Sequence, residues 1–242
     1  MKKLFVSMIL MVIMGISMIT GCDKSLNLLP EDIVSKALKA NNPIIPYHVE
    51  YKVVMRDNNK IISDNNVKEW FKPKDNKRLE MADEKGKQVT VITLYNNEMV
   101  IYSVNEKKAT ISKNANFSEF MGKSQKDKVL DSLKIYKNTH KITMMGIEKI
   151  NDMEAYHIVA IPKDDKTLLG KGELWIHKDS WFIVKSIEES GDTKVETLYS
   201  KIEMNSDLKD DVFMQKFPDD VKVETNEDLM KPLAEKEITI EK

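Results

Sequence analysis

The sequence of 242 residues holds one cysteine, seven prolines, eight glycines and four histidines. A single cysteine excludes an intrachain disulfide and every zinc site built from several thiolates. His48, His140, His157 and His177 fall at none of the compact spacings that set metal ligands on one helix face. No Gly-x-Ser-x-Gly elbow presents a serine nucleophile. Gly170-Lys171-Gly172 lacks the spacing and the following hydroxyl of a phosphate loop. A surplus of one charge is missing too: 38 Lys and Arg stand against 39 Asp and Glu, so a nucleic-acid partner is not expected. Asp164-Asp165 and Asp210-Asp211 read as solvated loop acids rather than a catalytic pair. The chain is therefore expected to be no enzyme and to need no metal or other cofactor. With 41% hydrophobic residues, no internal repeat and no low-complexity segment, it does carry the material of a packed core.

One long apolar run exists, Leu4 to Ile19, behind the basic Lys2 and Lys3. It is short for a bilayer-spanning helix and fits the apolar stretch of a signal peptide. It ends in Met18-Ile19-Thr20-Gly21-Cys22, which resembles a bacterial lipobox. That likeness implies cleavage before Cys22 and attachment of diacylglycerol, and often a third acyl chain, to its thiol and amine. An uncleaved anchor with a bystander cysteine is the alternative. The expected organisation is a leader at 1–21, a lipidated cysteine and short tether at 22–29, a body at 30–225 and a charged tail at 226–242. The covalent lipid on Cys22 is the only attached group expected. It places the body on the extracytoplasmic face of a cell membrane, held by chains worth about 0.8 kcal/mol per buried CH₂.

Pro30 with Glu31 and Asp32 suits a helix start, and Ile33, Val34, Ala37 and Leu38 form its apolar stripe. Alternation then dominates. Tyr47, Val49, Tyr51, Val53 and Met55 share one face of a strand. Further strands are predicted at 67–72, 78–82, 89–95, 99–104 and 108–112, with a polar loop at Ser63 to Asn66. Asn116 and Glu119 resemble a capping box. Phe117, Phe120 and Met121 follow, and Val129, Leu130, Leu133 and Tyr136 make a second helical stripe. Strands resume at 141–150, 153–161, 172–177, 181–189 and 193–204, with a closing strand expected before residue 226. About eleven strands joined by short turns predict a mainly β, α+β domain: one curved antiparallel sheet, an unclosed barrel with helices over its concave face.

Two stretches, Trp70-Phe71-Lys72-Pro73-Lys74-Asp75-Asn76-Lys77-Arg78 and Gly172 through Lys185 with Trp175, Asp179 and Trp181, resemble strands of the LolA/LolB-like superfamily. The likeness is nearest to its anchored lipoproteins in Gram-positive bacteria. It runs over most of 30–225 and implies a barrel of about eleven strands under a helical lid. Many members have a proline shortly after the second tryptophan, where this chain has Ile183. Trp70 and Trp175 read as core anchors ahead of ligand contacts, Pro73 as a turn, and Arg78 as the partner of an acid across the strands.

The resemblance opens two functions. Anchored germination lipoproteins of spore-formers imply a partner protein that supports a cortex peptidoglycan amidase at the forespore or spore membrane. An open barrel edge would supply the contact, or a homodimer by strand exchange. The carrier members imply instead an apolar cavity for acyl chains, for which Met99, Phe117, Phe120, Met121, Met144 and Met145 are the candidate lining.

Overall fold

The computed structural model describes residues 28–41, 45–73, 76–113, 125–164, 167 and 169–226. Cys22, the leader, the capping box at Asn116, and Phe117, Phe120 and Met121 lie outside the described residues, as does nearly all of the tail.

Helix α1 (Pro30–Asn41) opens with Glu31 and Asp32 in its first turn, where acids meet the positive end of the helix dipole. Strands β1 (Tyr47–Asp57), β2 (Lys60–Lys72), β3 (Asn76–Ala82), β4 (Gln88–Tyr95), β5 (Glu98–Ser103) and β6 (Lys108–Lys113) follow. Helix α2 (Gln125–Thr139) leads into β7 (His140–Ile150), β8 (Met153–Pro162), β9 (Gly172–His177), β10 (Ile183–Ser190) and β11 (Thr193–Met204). A short 3₁₀ turn (Asp210–Phe213) precedes β12 (Lys222–Asn226). All twelve strands form one sheet, in the order β12-β6-β5-β4-β3-β2-β1-β11-β10-β9-β8-β7, with β12 and β7 as its two edges. The sheet is curved and unclosed, with the helices on its concave face.

Tight turns build this meander. Asn58-Asn59, Asn96-Asn97 and Asn151-Asp152 all have positive φ, the conformation whose twist matches paired antiparallel strands. The first of these sets a long hairpin in which β2 begins at Lys60, so Ser63 to Asn66 are strand and not the expected loop. They pair with Met55 to Lys52 of β1, and cross-strand hydrogen bonding overrides their weak β propensity.

The sheet is mixed, not wholly antiparallel. Residues 205–221 leave β11 and run down the outer face, where Phe213 stacks on Tyr95 and Phe217 packs edge-on against Tyr102. They arrive beside the start of β6, where the Lys222 amide donates to the Lys107 carbonyl. β12 therefore enters alongside β6 in the same direction and pairs with it in parallel.

The expected helical stripes are buried. Ile33, Val34, Ala37, Val129, Leu133 and Tyr136 pack with Ile158, Ala160, Leu174, Ile176 and Ile183 in one cluster. Gly172 sits where a Cβ would overlap the ring of Tyr136, so β9 needs glycine for α2 to lie this close.

Candidate functional site

Opposite residues of an antiparallel pair share a face, so the register defines the inner surface row by row. One row runs Met204, Tyr47, Phe71, Lys77, Leu94, Met99, Ser112 across β11, β1, β2, β3, β4, β5 and β6. The next runs Ile202, Val49, Glu69, Leu79, Ile92, Ile101. A third begins Tyr199, Tyr51, Val67, Met81. Ser112 apart, these rows are apolar with two charged exceptions. Among the described residues, no side chain of β1 to β6 belongs to the cluster buried under α1 and α2. The helices cover the β7–β10 end of the concave face. The other half forms its own cluster, joined by Phe182, whose ring meets Tyr199 edge-on at 5.2 Å.

The exceptions are Glu69 and Lys77, 1% and 7% exposed. Tyr47 donates its hydroxyl to Glu69 Oε1 at 2.7 Å, and Tyr51 donates to Oε2 at 3.0 Å. The Lys77 ammonium lies 3.4 Å from Oε1. Burial, with Glu69 adding to it, pushes the Tyr51 hydroxyl far up, so it stays a proton donor. Sequence reading passed over this group. Its signal was there: Glu69 falls in the inward phase between Val67 and Phe71.

A second, half-buried carboxyl lies beneath α2. Ser132 donates to Glu188 Oε2 at 3.1 Å. Burial raises the Glu188 pKa above the ordinary glutamate range, against the smaller pull of Ser132. Between the ordinary value and the raised one, the folded state holds the proton that the unfolded state has lost. Stability supplied by this group therefore rises as pH falls through that window. Glu188→Gln is expected to raise the melting temperature at neutral pH and to flatten its dependence between neutral and mildly acidic pH. An unchanged melting profile would contradict the assignment.

The outer face carries two matched stacks. His48 lies on Trp70 with ring centroids 4.6 Å apart, and His157 lies on Trp175 at 4.2 Å. His157 faces Glu148 at 2.8 Å and Glu173 at 3.2 Å on its two nitrogens, and Trp175 donates to Glu148 at 2.7 Å. These two hydrogen bonds, the indole first, hold the Glu148 carboxyl below the usual range. The carboxylates sit on opposite nitrogens of the ring, and among the described residues no His, Cys, Asp and Glu group is arranged to hold a metal. A cleft of about 410 Å³ also opens on this face, over Glu50, Lys52, Asn66, Lys68 and Glu80. Lys52 there is paired with Asp64, and Lys68 lies 3.9 Å from Glu50.

The residues singled out in the sequence are dispersed. Met99 is 5% exposed on the inner face of β5. Met144 packs under the helices from β7, with eight strands between the two. Met145 sits at the bulge of β7, 61% exposed and outside any interior. Trp70 is half-buried on the outer face, whereas Trp175 is 5% exposed. Pro73 stands in the turn after β2. Arg78 pairs at 2.7 Å with Glu80 of its own strand instead of an acid across the sheet, because the two lie on one face two residues apart. Asp179 is exposed in the β9–β10 turn. Trp181 takes a positive φ of 59°, rare for a bulky residue, which sets its ring on Tyr156 with the Lys36 ammonium 4.9 Å above it.

No protein-family model matches the chain, and no curated protein matches it. Solved structures do. The Mycobacterium tuberculosis lipoprotein LppX is 14% identical, covering 74% of this chain and 97% of that one, with a TM-score of 0.48. A LolA superfamily protein from Nitrosomonas europaea is 11% identical, covering 78% and 98%, at 0.38. MucB in its complex with MucA from Pseudomonas aeruginosa is 10% identical, covering 77% of this chain and 61% of that one, at 0.47. At these identities each likeness concerns the arrangement of the sheet.

Proposed function

We propose that the chain is a non-catalytic binding protein, tethered through lipid on Cys22 to the extracytoplasmic face of a cell membrane, whose inner face takes up acyl chains of a lipid or of another lipoprotein. The observation that carries this reading is the half of the inner face from β11 to β5, apolar along its rows and outside the cluster made by α1 and α2. Tyr47, Val49, Tyr51 and Met99 there are buried, so the gain on binding comes from the hydrocarbon that leaves water, about 25 cal/mol per Å² of its apolar area. Ile101 lies in the second row and is 37% exposed, so it can be changed without opening a packed core. Ile101→Asp is expected to abolish binding of a fluorescent fatty acid while leaving the melting temperature nearly unchanged. Retained binding would place the ligand elsewhere.

A second reading rests on a different observation. β7 is an edge strand, and Ile142 to Ile147 carries no charged side chain. Met145 and Ile147 on it are 61% and 45% exposed. Backbone that pairs with no strand among the described residues, beside exposed apolar side chains, favours strand addition by another chain. That chain would be a second copy, or a partner protein. The likeness to the germination lipoprotein GerS suggests a peptidoglycan amidase of the spore cortex, at the forespore or spore membrane. Met145→Lys with Ile147→Lys is expected to abolish recovery of the amidase in a pull-down from sporulating cells. Undiminished recovery would remove β7 from the contact.

A further inference from the structure

We propose that the outer face over β1, β2 and β3 binds a neutral, hydroxyl-rich glycan chain, laid along β2 across Trp70. This site lies on the opposite side of the sheet from the acyl-chain surface and is independent of that reading. Two clefts carry it. The first is the cleft of about 410 Å³ over Glu50, Asn66, Lys68 and Glu80, with Gln88 on its rim. The second, of about 490 Å³, is lined by Pro46, Lys72, Pro73, Asn76, Tyr95 and Asn96, with Asp210 as a wall. Lys68, Trp70 and Lys72 alternate on one face of β2, and Glu80, Arg78 and Asn76 stand opposite them on β3. The row of Trp70 and Arg78 thus stands between the two clefts. From Lys68 to Lys72 is about 13 Å along the strand. His48, stacked on the indole at 4.6 Å, fixes Trp70 in place. Residues 205–221 cover the outer face over Tyr95 and Tyr102 and border this groove, where the Lys72 ammonium donates to Asp210 at 2.7 Å.

The chemistry of the lining selects the ligand. Its charges are matched within the chain, Lys52 with Asp64, Arg78 with Glu80 and Lys72 with Asp210, so a charged ligand gains no net attraction. What is left over is hydrogen-bonding capacity of both kinds. The Trp70 indole N–H and the side-chain amides of Asn76, Gln88 and Asn96 have no partner among the described residues. Lys68 meets only Glu50 among them, at 3.9 Å, beyond hydrogen-bond range. Asn66 spends its N–H₂ on the Asp83 carbonyl and keeps its amide oxygen. Donors and acceptors interleaved along a groove match hydroxyl groups, each of which donates one hydrogen bond and accepts two. The apolar surface is small: Trp70, Tyr95 and the two proline rings. That suits the C–H groups of a sugar ring and is too little to anchor the apolar side chains of a peptide. A peptide also finds no backbone to pair with, because β2 is bonded from Asn66 to Phe71 to β1 on one side and β3 on the other.

The test titrates the purified full-length chain calorimetrically with cellotetraose and chitotetraose, with the disaccharide of each, and with a proline-rich decapeptide as the rival class. At least one tetrasaccharide is expected to bind about tenfold more tightly than its disaccharide, because only the longer chain spans both clefts. Added salt is expected to leave that affinity unchanged, since the groove carries no net charge toward the ligand. Trp70→Ala is expected to weaken binding about tenfold. Because His48 packs on Trp70, two variants away from that stack accompany it. Gln88→Ala removes an amide from the first cleft, and Asn96→Gly removes one from the second while tolerating its positive φ of 52°. Each is expected to weaken the tetrasaccharide about threefold, the effect of one neutral hydrogen bond, with the melting temperature unchanged. Binding by one or both tetrasaccharides with these losses supports the proposal, and their ranking names the favoured ring substituent, hydroxyl or acetamido. Failure of both tetrasaccharides, equal binding of tetrasaccharide and disaccharide, affinity untouched by all three substitutions, or binding of the decapeptide alone would each overturn it.

Discussion

Lys77→Met alone is expected to destabilise the fold by about 3–5 kcal/mol, the usual cost of leaving a buried charge without its partner. Glu69 is 1% exposed, and Lys77 is its one cation among the described residues. Tyr47 and Tyr51 would still donate to it, but two neutral hydroxyls do not replace an ammonium. Adding Glu69→Gln removes the stranded charge; its one amide oxygen still accepts from one tyrosine, and its N–H₂ donates to the hydroxyl oxygen of the other. The double variant should therefore recover most of the loss, which separates the penalty of an unpaired charge from the worth of the pair. Urea denaturation of the four forms measures it. A single variant as stable as the unaltered chain would mean that water reaches Glu69 freely.

The second large effect is at Gly172. A Cβ built there would overlap the Tyr136 ring, with the hydroxyl 2.5 Å and Cε2 2.7 Å away. Tyr136 is fully buried between α2 and the sheet, beside Leu133 and the edge-on ring of His140, and has nowhere to retreat. Gly172→Ala is expected to cost about 3 kcal/mol, at the upper end for overpacking, and to lift α2 from β9. Tyr136→Leu should partly rescue it, giving a double variant more stable than the sum of the two single losses. Tyr136→Phe offers a contrast. The Tyr136 hydroxyl is buried without a hydrogen-bond partner among the described residues, so its removal should be neutral or mildly stabilising. A fully additive Gly172→Ala and Tyr136→Leu pair would show that α2 does not sit on Gly172.

Much of the fold was legible because local chemistry agreed with the global arrangement. The short turns expected between strands are there: Asn58-Asn59, Asn96-Asn97 and Asn151-Asp152, residue types that tolerate positive φ, form turns of the kind hairpins require. Alternation from Tyr47 to Met55 and the stripe from Val129 to Tyr136 pointed to buried faces, which the structure confirms. The losses have physical causes. Ser63 to Asn66 have low strand propensity and are held by the hairpin on either side. β12 pairs in parallel with β6, which only the path of residues 205–221 determines. The Lys77–Glu69 pair was hidden because each residue is polar when read singly. The match appears only once β2 and β3 are in register, with Glu69 opposite Leu79 and Phe71 opposite Lys77. Met145 looked like a lining residue from its type, but the β7 bulge at Met144 to Gly146 turns it outward. The two tryptophan stacks on the outer face likewise depend on a histidine from a neighbouring strand that no single-strand pattern reveals.

The central claim is that the inner face from β11 to β5 receives acyl chains. It is tested most directly by extracting the lipid that copurifies with the full-length chain and quantifying it by mass spectrometry, beside the Ile101→Asp variant. The account predicts noncovalent acyl lipid near one molecule per chain, in addition to the covalent lipid on Cys22, and its loss in the variant. A chain that carries no noncovalent lipid and takes up no added acyl probe would contradict it and leave the β7 edge as the binding surface.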